Sequence, residues 1–195
     1  MKIYTSILLT LIAAFIFFTS DVYACACCVD PGFYSIKTAK PDSYMLDELS
    51  KIRFADAKLY TPPGEDNVSG ISPAGENYSI DGAMKNNIWK FSFKDDKGKS
   101  GILNLMKPVS MVAFMADIHD TPEGSETVLY KELRFKYKVQ NGTGIFQKGI
   151  APATEYFLVL QGRGNGCTQA EDFTHWRLEV TGKKANYSLY GKLER

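Results

Sequence analysis

The fold is decided by residues 89–106, which read WKFSFKDDKGKSGILNLM. Trp89, Phe91 and Phe93 alternate with polar residues, and this period of two predicts a strand with one buried face and one solvated face. The segment DDKGK, residues 95–99, has turn chemistry, and the mostly apolar residues 101–106 follow it. We therefore predict an antiparallel hairpin in the middle of the chain.

The same alternation recurs towards the carboxyl terminus. Residues 133–139 read LRFKYKV and residues 176–180 read WRLEV, so each segment places its apolar side chains on one face of a strand. Asn141-Gly142 is a typical hairpin dipeptide and predicts a turn. The spacing of turn signals predicts an all-β, mainly antiparallel fold, a closed barrel or sandwich of about 8–10 strands. We prefer the barrel, because closure removes exposed strand edges.

One short helix is expected ahead of these strands. Met45, Leu49 and Ile52 are spaced by four and three residues, and Asp42 is a suitable N-cap, so a helix is predicted over residues 43–51. Residues 53–60 are predicted as one strand, and the segment that follows them is rich in Pro, Gly, Ser and Asn and predicts a long loop.

The composition is that of a globular protein without a charge bias. The chain has 195 residues, of which 45% are hydrophobic and 13% aromatic, and its formal net charge is +1. A balance of this kind gives no electrostatic reason to expect a nucleic-acid partner. Arg134, Lys136 and Lys138 form a basic stripe, which is typical of the solvated face of a strand.

The amino terminus has the pattern of an export signal. An apolar run at residues 7–18 follows Lys2 and ends near Val22-Tyr23-Ala24, which fits a signal-peptidase site. The run is too short for a transmembrane helix, which needs about 20 residues. We expect a signal peptide at residues 1–24, a cysteine-rich lead-in at 25–40 and a single β domain at 41–195. The mature protein is expected outside the cytoplasm, as a periplasmic, secreted or envelope-anchored protein without a transmembrane helix.

Three of the four cysteines follow this signal directly. Cys25, Cys27 and Cys28 are close together, and Cys167 lies near the end of the chain. In an oxidising compartment we expect a disulfide from Cys167 to Cys27 or Cys28, because a bond between adjacent cysteines is strained. Cys25 either pairs with the remaining cysteine or is lipidated, since residues 22–25 resemble a bacterial lipoprotein signal. Alternatively, Cys25, Cys27 and Cys28 bind copper or zinc.

A catalytic alternative rests on the glycine-rich segment before Cys167. Residues 162–167 read GRGNGC, and Asp172 and His175 follow within eight residues of Cys167. A thiol nucleophile needs a neighbouring imidazole, and backbone N–H groups of such a segment can hold an oxyanion. This arrangement would suit a hydrolase or transferase, although His175 can equally begin a strand without a chemical role.

The main prediction is an exported, non-enzymatic binding or structural module without a cofactor. Its cysteine cluster would act as a disulfide staple or a lipid anchor. The aromatic side chains of the buried strand faces either admit a small apolar ligand or simply fill the core. Binding of copper or zinc by thiolates and cysteine-dependent catalysis are the two alternatives.

Overall fold

Eleven strands and one α-helix occur in the part of the chain that the structure, a computed structural model, describes: residues 36–61, 68–120, 126–165 and 170–194. In chain order they are β1 (Ile36–Ala39), α1 (Ser43–Leu49), β2 (Arg53–Phe54), β3 (Ala57–Tyr60), β4 (Asn77–Ala83), β5 (Ile88–Asp95), β6 (Ser100–Met106), β7 (Met111–Asp120), β8 (Glu126–Gly144), β9 (Glu155–Asn165), β10 (Phe173–Gly182) and β11 (Ala185–Glu194). Two short 3-10 helices, Gln147–Gly149 and Ala170–Asp172, precede β9 and β10.

Eight antiparallel strands close into a barrel. Their order around the wall is β3-β4-β5-β6-β8-β9-β10-β11, and β11 pairs with β3 to complete the circle. Most neighbours on the wall are also neighbours in the sequence, because short hairpins join β4 to β5, β5 to β6 and β10 to β11. The predicted all-β barrel with one short helix is therefore confirmed, and the sandwich alternative is not adopted.

Strand β8 is long enough to pair with two strands, one after the other, along the same edge. Its carboxyl-terminal part pairs with β6 inside the barrel wall, whereas its amino-terminal part pairs with β7, which carries β1 on its outer edge. The turn predicted at Asn141-Gly142 is wrong. Both residues continue β8 opposite Asn104 and Leu103, and the Asn104 side-chain amide donates to the Asn141 side-chain oxygen at 2.7 Å. Pairing with β6 outweighs the local preference for a turn.

The inward-facing side chains fill the barrel. Trp89, Phe91 and Phe93 are at most 2% exposed, as the alternation predicts. Trp89 meets Phe135 edge to face at 5.2 Å between ring centroids, and Phe93 meets Phe146 at 5.1 Å. An eight-stranded barrel is just wide enough for side chains to fill its interior. The aromatic side chains therefore fill the core of the barrel, which is one of the two roles that the sequence suggests for them.

Helix α1 and β2 close one end of this core. The backbone N–H of Met45 donates to the Asp42 carboxylate at 2.8 Å, so the predicted N-cap is present. Phe54 of β2 packs edge to face on Phe91 and Trp176, and a Cβ at Gly82 would lie 2.6 Å from its ring. Only glycine leaves room for this ring. In the part of the chain that the structure describes, no helix is long and apolar enough to span a bilayer.

Candidate functional site

A groove crosses the outer face of the barrel over β3, β11, β10 and β9. Its volume is about 570 Å³, which lies in the range of small-molecule sites. The phenol rings of Tyr60 and Tyr190 belong to its lining, together with five polar side chains, those of Gln161, His175, Arg177, Glu179 and Ser188. We call this surface the outer groove.

The alternation of the strands explains how these side chains come together. Trp176 and Leu178 of β10 point into the barrel, so Arg177 and Glu179 between them point outwards. On β11, Ser188 lies opposite Glu179 on one side and Tyr60 on the other. Because Ser188 is short and its two neighbours are long, the surface is hollow at this point.

The two tyrosines form one wall of the groove. Their rings meet edge to face with centroids 6.3 Å apart and planes at 78°. Tyr60 is 50% exposed and Tyr190 is 43% exposed, which is high for side chains of this size on a barrel wall. An edge-to-face pair is a favoured arrangement of aromatic rings. The pair therefore presents apolar ring surface next to phenolic hydroxyl groups.

The polar wall carries one pair of opposite charges. Arg177 Nε lies 3.3 Å from Glu179 Oε1, and the two side chains are 46% and 36% exposed. An exposed pair of this kind contributes little to stability, about 0–1 kcal/mol. Both groups keep hydrogen-bonding capacity, because a guanidinium has five donors and a carboxylate has several acceptor positions.

Two further lining residues, Trp176 and Gly191, lie close to the backbone of Asp56. The Trp176 indole N–H donates to the carbonyl oxygen of Asp56 at 3.1 Å, and the Asp56 carboxylate accepts from the backbone N–H of Lys192 at 2.6 Å. A Cβ at Gly191 would lie 2.1 Å from that carbonyl oxygen. Residues 53–60 were predicted as one strand, but the chain is interrupted next to Asp56 and forms the two strands β2 and β3.

A hydrogen-bonded network borders the groove at Gln161. The Tyr130 hydroxyl and the Arg134 guanidinium both donate to the Glu132 carboxylate, and the Gln161 amide donates to the Tyr130 oxygen at 3.0 Å. Arg134 also lies over the Phe114 ring, 4.2 Å from its centroid. Each polar group of the network is thus already engaged within the protein.

The pKa values of this network follow from its contacts. Burial alone would raise the pKa of Glu132, but hydrogen bonds from Tyr130, Arg134 and Gln161 hold that pKa below its ordinary value. Burial, followed by the Glu132 hydrogen bond and charge, raises the pKa of Tyr130 to about 12. Tyr130 therefore stays protonated at neutral pH and acts as a hydrogen-bond donor.

The structure gives Asp172 and His175 different surroundings. Asp172 Oδ2 binds Lys131 Nζ at 3.0 Å, and Lys131 is buried and lies over the Phe173 ring. His175 points to the outer face, lines the outer groove and has its Nδ1 2.9 Å from the Thr174 hydroxyl. An irregularity of the ladder separates Phe173 from His175. Catalysis by Cys167 with these two residues stays a prediction.

All four cysteines lie outside the described residues. The disulfide from Cys167 to Cys27 or Cys28, lipidation of Cys25 and copper or zinc binding by the cluster therefore stay predictions. Within the ranges that the structure describes, no three His, Cys, Asp or Glu residues are placed to hold a metal ion.

The residues of the outer groove carry only a weak signal in the sequence. The alternation of β10 identifies Arg177 and Glu179 as outward-facing, but it does not show which strand lies beside β10. The contact of Tyr60 with Tyr190 depends on the pairing of β3 with β11, and these strands are far apart in the chain.

No protein-family model, no curated protein and no solved structure matches this chain. The role of the outer groove must therefore be inferred from its own residues.

Proposed function

We propose that the protein is an exported, non-enzymatic binding module that holds its ligand in the outer groove. In this proposal the barrel is the scaffold, and the amino-terminal cysteines attach the leading segment to the domain or to the envelope. The observation that carries the proposal is the exposure of the Tyr60–Tyr190 ring pair beside the Arg177–Glu179 pair.

The contrast with the barrel interior supports this location. Interior positions such as Phe91, Leu103 and Leu178 are fully buried by their neighbours. The outer groove instead combines apolar ring surface with a few polar groups that point into one hollow, which is the usual composition of a ligand site. These groups lie on paired strands and not on a loop, so ligand binding does not have to order the backbone that carries them.

A fragment screen followed by NMR tests the proposed site. The mature protein, labelled with ¹⁵N, would be titrated with a chemically diverse set of small molecules. We expect the strongest shifts at backbone amides of residues 175–179 and 188–191. Exclusive shifts at interior-lining amides, such as those of residues 89–93, would contradict the proposal. Shifts at neither place would contradict it as well.

Strand order supports a disulfide staple as the role of the cysteine cluster. In the strand order β1-β7-β8-β9, Ile36 at the start of β1 and Asn165 at the end of β9 lie at the same end of the sheet. Three strand spacings separate them, roughly 14 Å. Cys28 lies eight positions before Ile36, and an extended chain over that distance reaches up to about 26 Å. Cys167, two residues beyond Asn165, is then within reach of the cluster.

Peptide mapping without reduction tests the staple, and the intact mass tests the anchor. We expect a Cys167 peptide linked to the peptide that contains Cys27 and Cys28, in a mature chain that begins at Cys25. A free Cys167 that alkylates rapidly, and slowly after His175→Ala, would favour the catalytic alternative instead. A mass increase at Cys25 by a diacylglycerol group would assign that residue to the anchor.

A further inference from the structure

We propose that the outer groove binds a neutral sugar ring, presented either by a free oligosaccharide or by a polysaccharide. This inference rests on the proposed function, because it specifies the chemical class of the ligand for the same groove.

The outer groove combines aromatic rings with hydrogen-bonding groups. A pyranose ring has C–H groups on its faces and hydroxyl groups around its rim, so it needs an apolar surface with donors and acceptors beside it. Tyr60 and Tyr190 supply exposed ring surface. Ser188 lies between Tyr60 and Glu179 in the register, and its hydroxyl both donates and accepts.

Hydrogen-bond donors and acceptors lie beside each other across the groove. Arg177 supplies donors only, Glu179 supplies acceptors only, and Gln161 offers its side-chain oxygen as a further acceptor, because its N–H groups already bind Tyr130 and Glu132. A sugar hydroxyl donates one hydrogen bond and accepts others, so it can satisfy either type of partner. Planar apolar ligands would leave Arg177 and Glu179 without their water and without replacement hydrogen bonds, which is costly.

The charges of the groove also bear on the class of ligand. Arg177 and Glu179 lie 3.3 Å apart, so their opposite charges cancel within the groove. A phosphate or carboxylate ligand would have to displace or approach Glu179, which repels it. A cationic ligand would meet the same difficulty with Arg177. The lining therefore favours a ligand without net charge, and its binding should depend little on salt.

The length of the groove limits the number of sugar rings that it can hold. The groove crosses four strands, a span of roughly 14 Å at the usual strand spacing. That length exceeds one sugar ring and admits two or three rings of a chain. Affinity is therefore expected to increase from a monosaccharide to a trisaccharide and then to remain constant.

The experiment uses the mature protein and isothermal titration with neutral trisaccharides of glucose, galactose, mannose and N-acetylglucosamine. The Tyr190→Ala variant removes one ring of the wall. Tyr44→Ala is the matched control, because Tyr44 is 48% exposed on α1 and does not belong to the groove. We expect at least one trisaccharide to bind, a tenfold or greater loss in Tyr190→Ala, and a change below twofold in Tyr44→Ala.

Two further arms separate the sources and the classes of ligand. If a trisaccharide binds as tightly as the polysaccharide chain, free oligosaccharides are sufficient ligands. If the protein is retained on the insoluble polysaccharide but binds no trisaccharide, the polysaccharide is the ligand. Either result supports a sugar site. Inositol hexakisphosphate and a uronic-acid trisaccharide are the charged comparisons, and preferential binding of either would overturn the inference.

The failure of this inference is distinct from the failure of the proposed function. If diverse fragments shift groove amides but no neutral saccharide does, the groove remains a binding site and the sugar class is wrong. If a saccharide binds equally well to Tyr190→Ala and to the unchanged protein, it binds elsewhere and the inference is wrong. If nothing perturbs the groove, both proposals are wrong.

Discussion

The inner and outer faces of β10 and β11 have opposite properties, although they belong to the same strands. On the inner face Trp176, Leu178 and Leu189 are at most 1% exposed and belong to the barrel core. On the outer face Arg177 and Tyr190, opposite each other in the register, are both close to half exposed. The inner face therefore determines stability, whereas the outer face is available to a ligand.

A second contrast lies within the outer face itself. Arg134 and Glu132 on β8, and Arg177 and Glu179 on β10, are pairs of the same residue types two positions apart. Val159 of β9 lies opposite both arginines. The β8 pair is enclosed by Tyr130, Gln161 and Phe114, whereas the β10 pair faces the groove. The same pair of residues is thus structural in one place and accessible in the other.

The largest expected effect concerns the inner face. Trp89→Ala removes a fully buried ring from the barrel core, so the free energy of unfolding should fall by about 3–5 kcal/mol. The outer-face change Tyr190→Ala should alter it by less than about 1 kcal/mol. Urea denaturation of both variants measures the two values. Similar losses would show that the two faces do not differ as the structure indicates.

Alternation was sufficient to predict the inner face. Trp89, Phe91 and Phe93 face inwards as expected, because a strand with one buried face requires a period of two. The pairing of β1 with β7, outside the barrel wall, was not predicted. Strand β1 has only four residues, and its pairing with β7 connects segments about 75 residues apart, which no local pattern specifies.

The outer groove was beyond prediction for the same reason. Its residues become neighbours only when β3 closes the barrel against β11. The local signal for a turn at Asn141-Gly142 even pointed to the wrong structure, because pairing with β6 supplies hydrogen bonds that a turn does not. Pairing between strands that are distant in the sequence therefore explains both the wrong turn at Asn141-Gly142 and why the outer groove was not predicted.

The second prediction concerns a charge at the end of the core. Glu48 of α1 is 3% exposed, and its carboxylate accepts from Lys51 and from the backbone N–H of Ala170, the latter at 2.7 Å. Glu48→Gln should lower the free energy of unfolding at pH 7 by about 2–3 kcal/mol, because the bonds to the carboxylate are charge-assisted.

This loss should depend on pH in a defined direction. The hydrogen bond from Lys51, followed by that from Ala170, holds the pKa of Glu48 below its ordinary value. Its contribution is therefore present above the pKa of an unfolded glutamate, about 4.3, and disappears as the pH falls through the lowered pKa of the folded state. Denaturation at pH 7 and at pH 3 should show the two proteins converging. A constant difference would assign the loss to packing instead of charge.

The third prediction compares the two outer-face carboxylates. Glu132→Gln should reduce the free energy of unfolding by about 1–2 kcal/mol, because Tyr130 and Arg134 lose a charged acceptor. Glu179→Gln is the matched control and should cost less than about 0.5 kcal/mol, since its pair is exposed. Equal losses in guanidinium titrations would contradict the distinction between an enclosed pair and an accessible one.

The smallest expected effect tests the inner face at the level of single hydroxyl groups. Tyr156 donates to the carbonyl oxygen of Met106 at 2.7 Å, whereas the buried Tyr187 hydroxyl has no hydrogen-bond partner among the residues that the structure describes. Burial raises the pKa of both phenols, so both remain protonated. Tyr156→Phe should cost about 1 kcal/mol, because a hydrogen bond is lost. Tyr187→Phe removes only an unsatisfied polar group and should leave stability unchanged or raise it by up to about 1 kcal/mol. If Tyr187→Phe were instead as costly as Tyr156→Phe in the same titration, the Tyr187 hydroxyl would have a hydrogen-bond partner, such as a buried water. The core around Tyr187 would then be less apolar than the neighbouring Phe146 and Leu189 suggest.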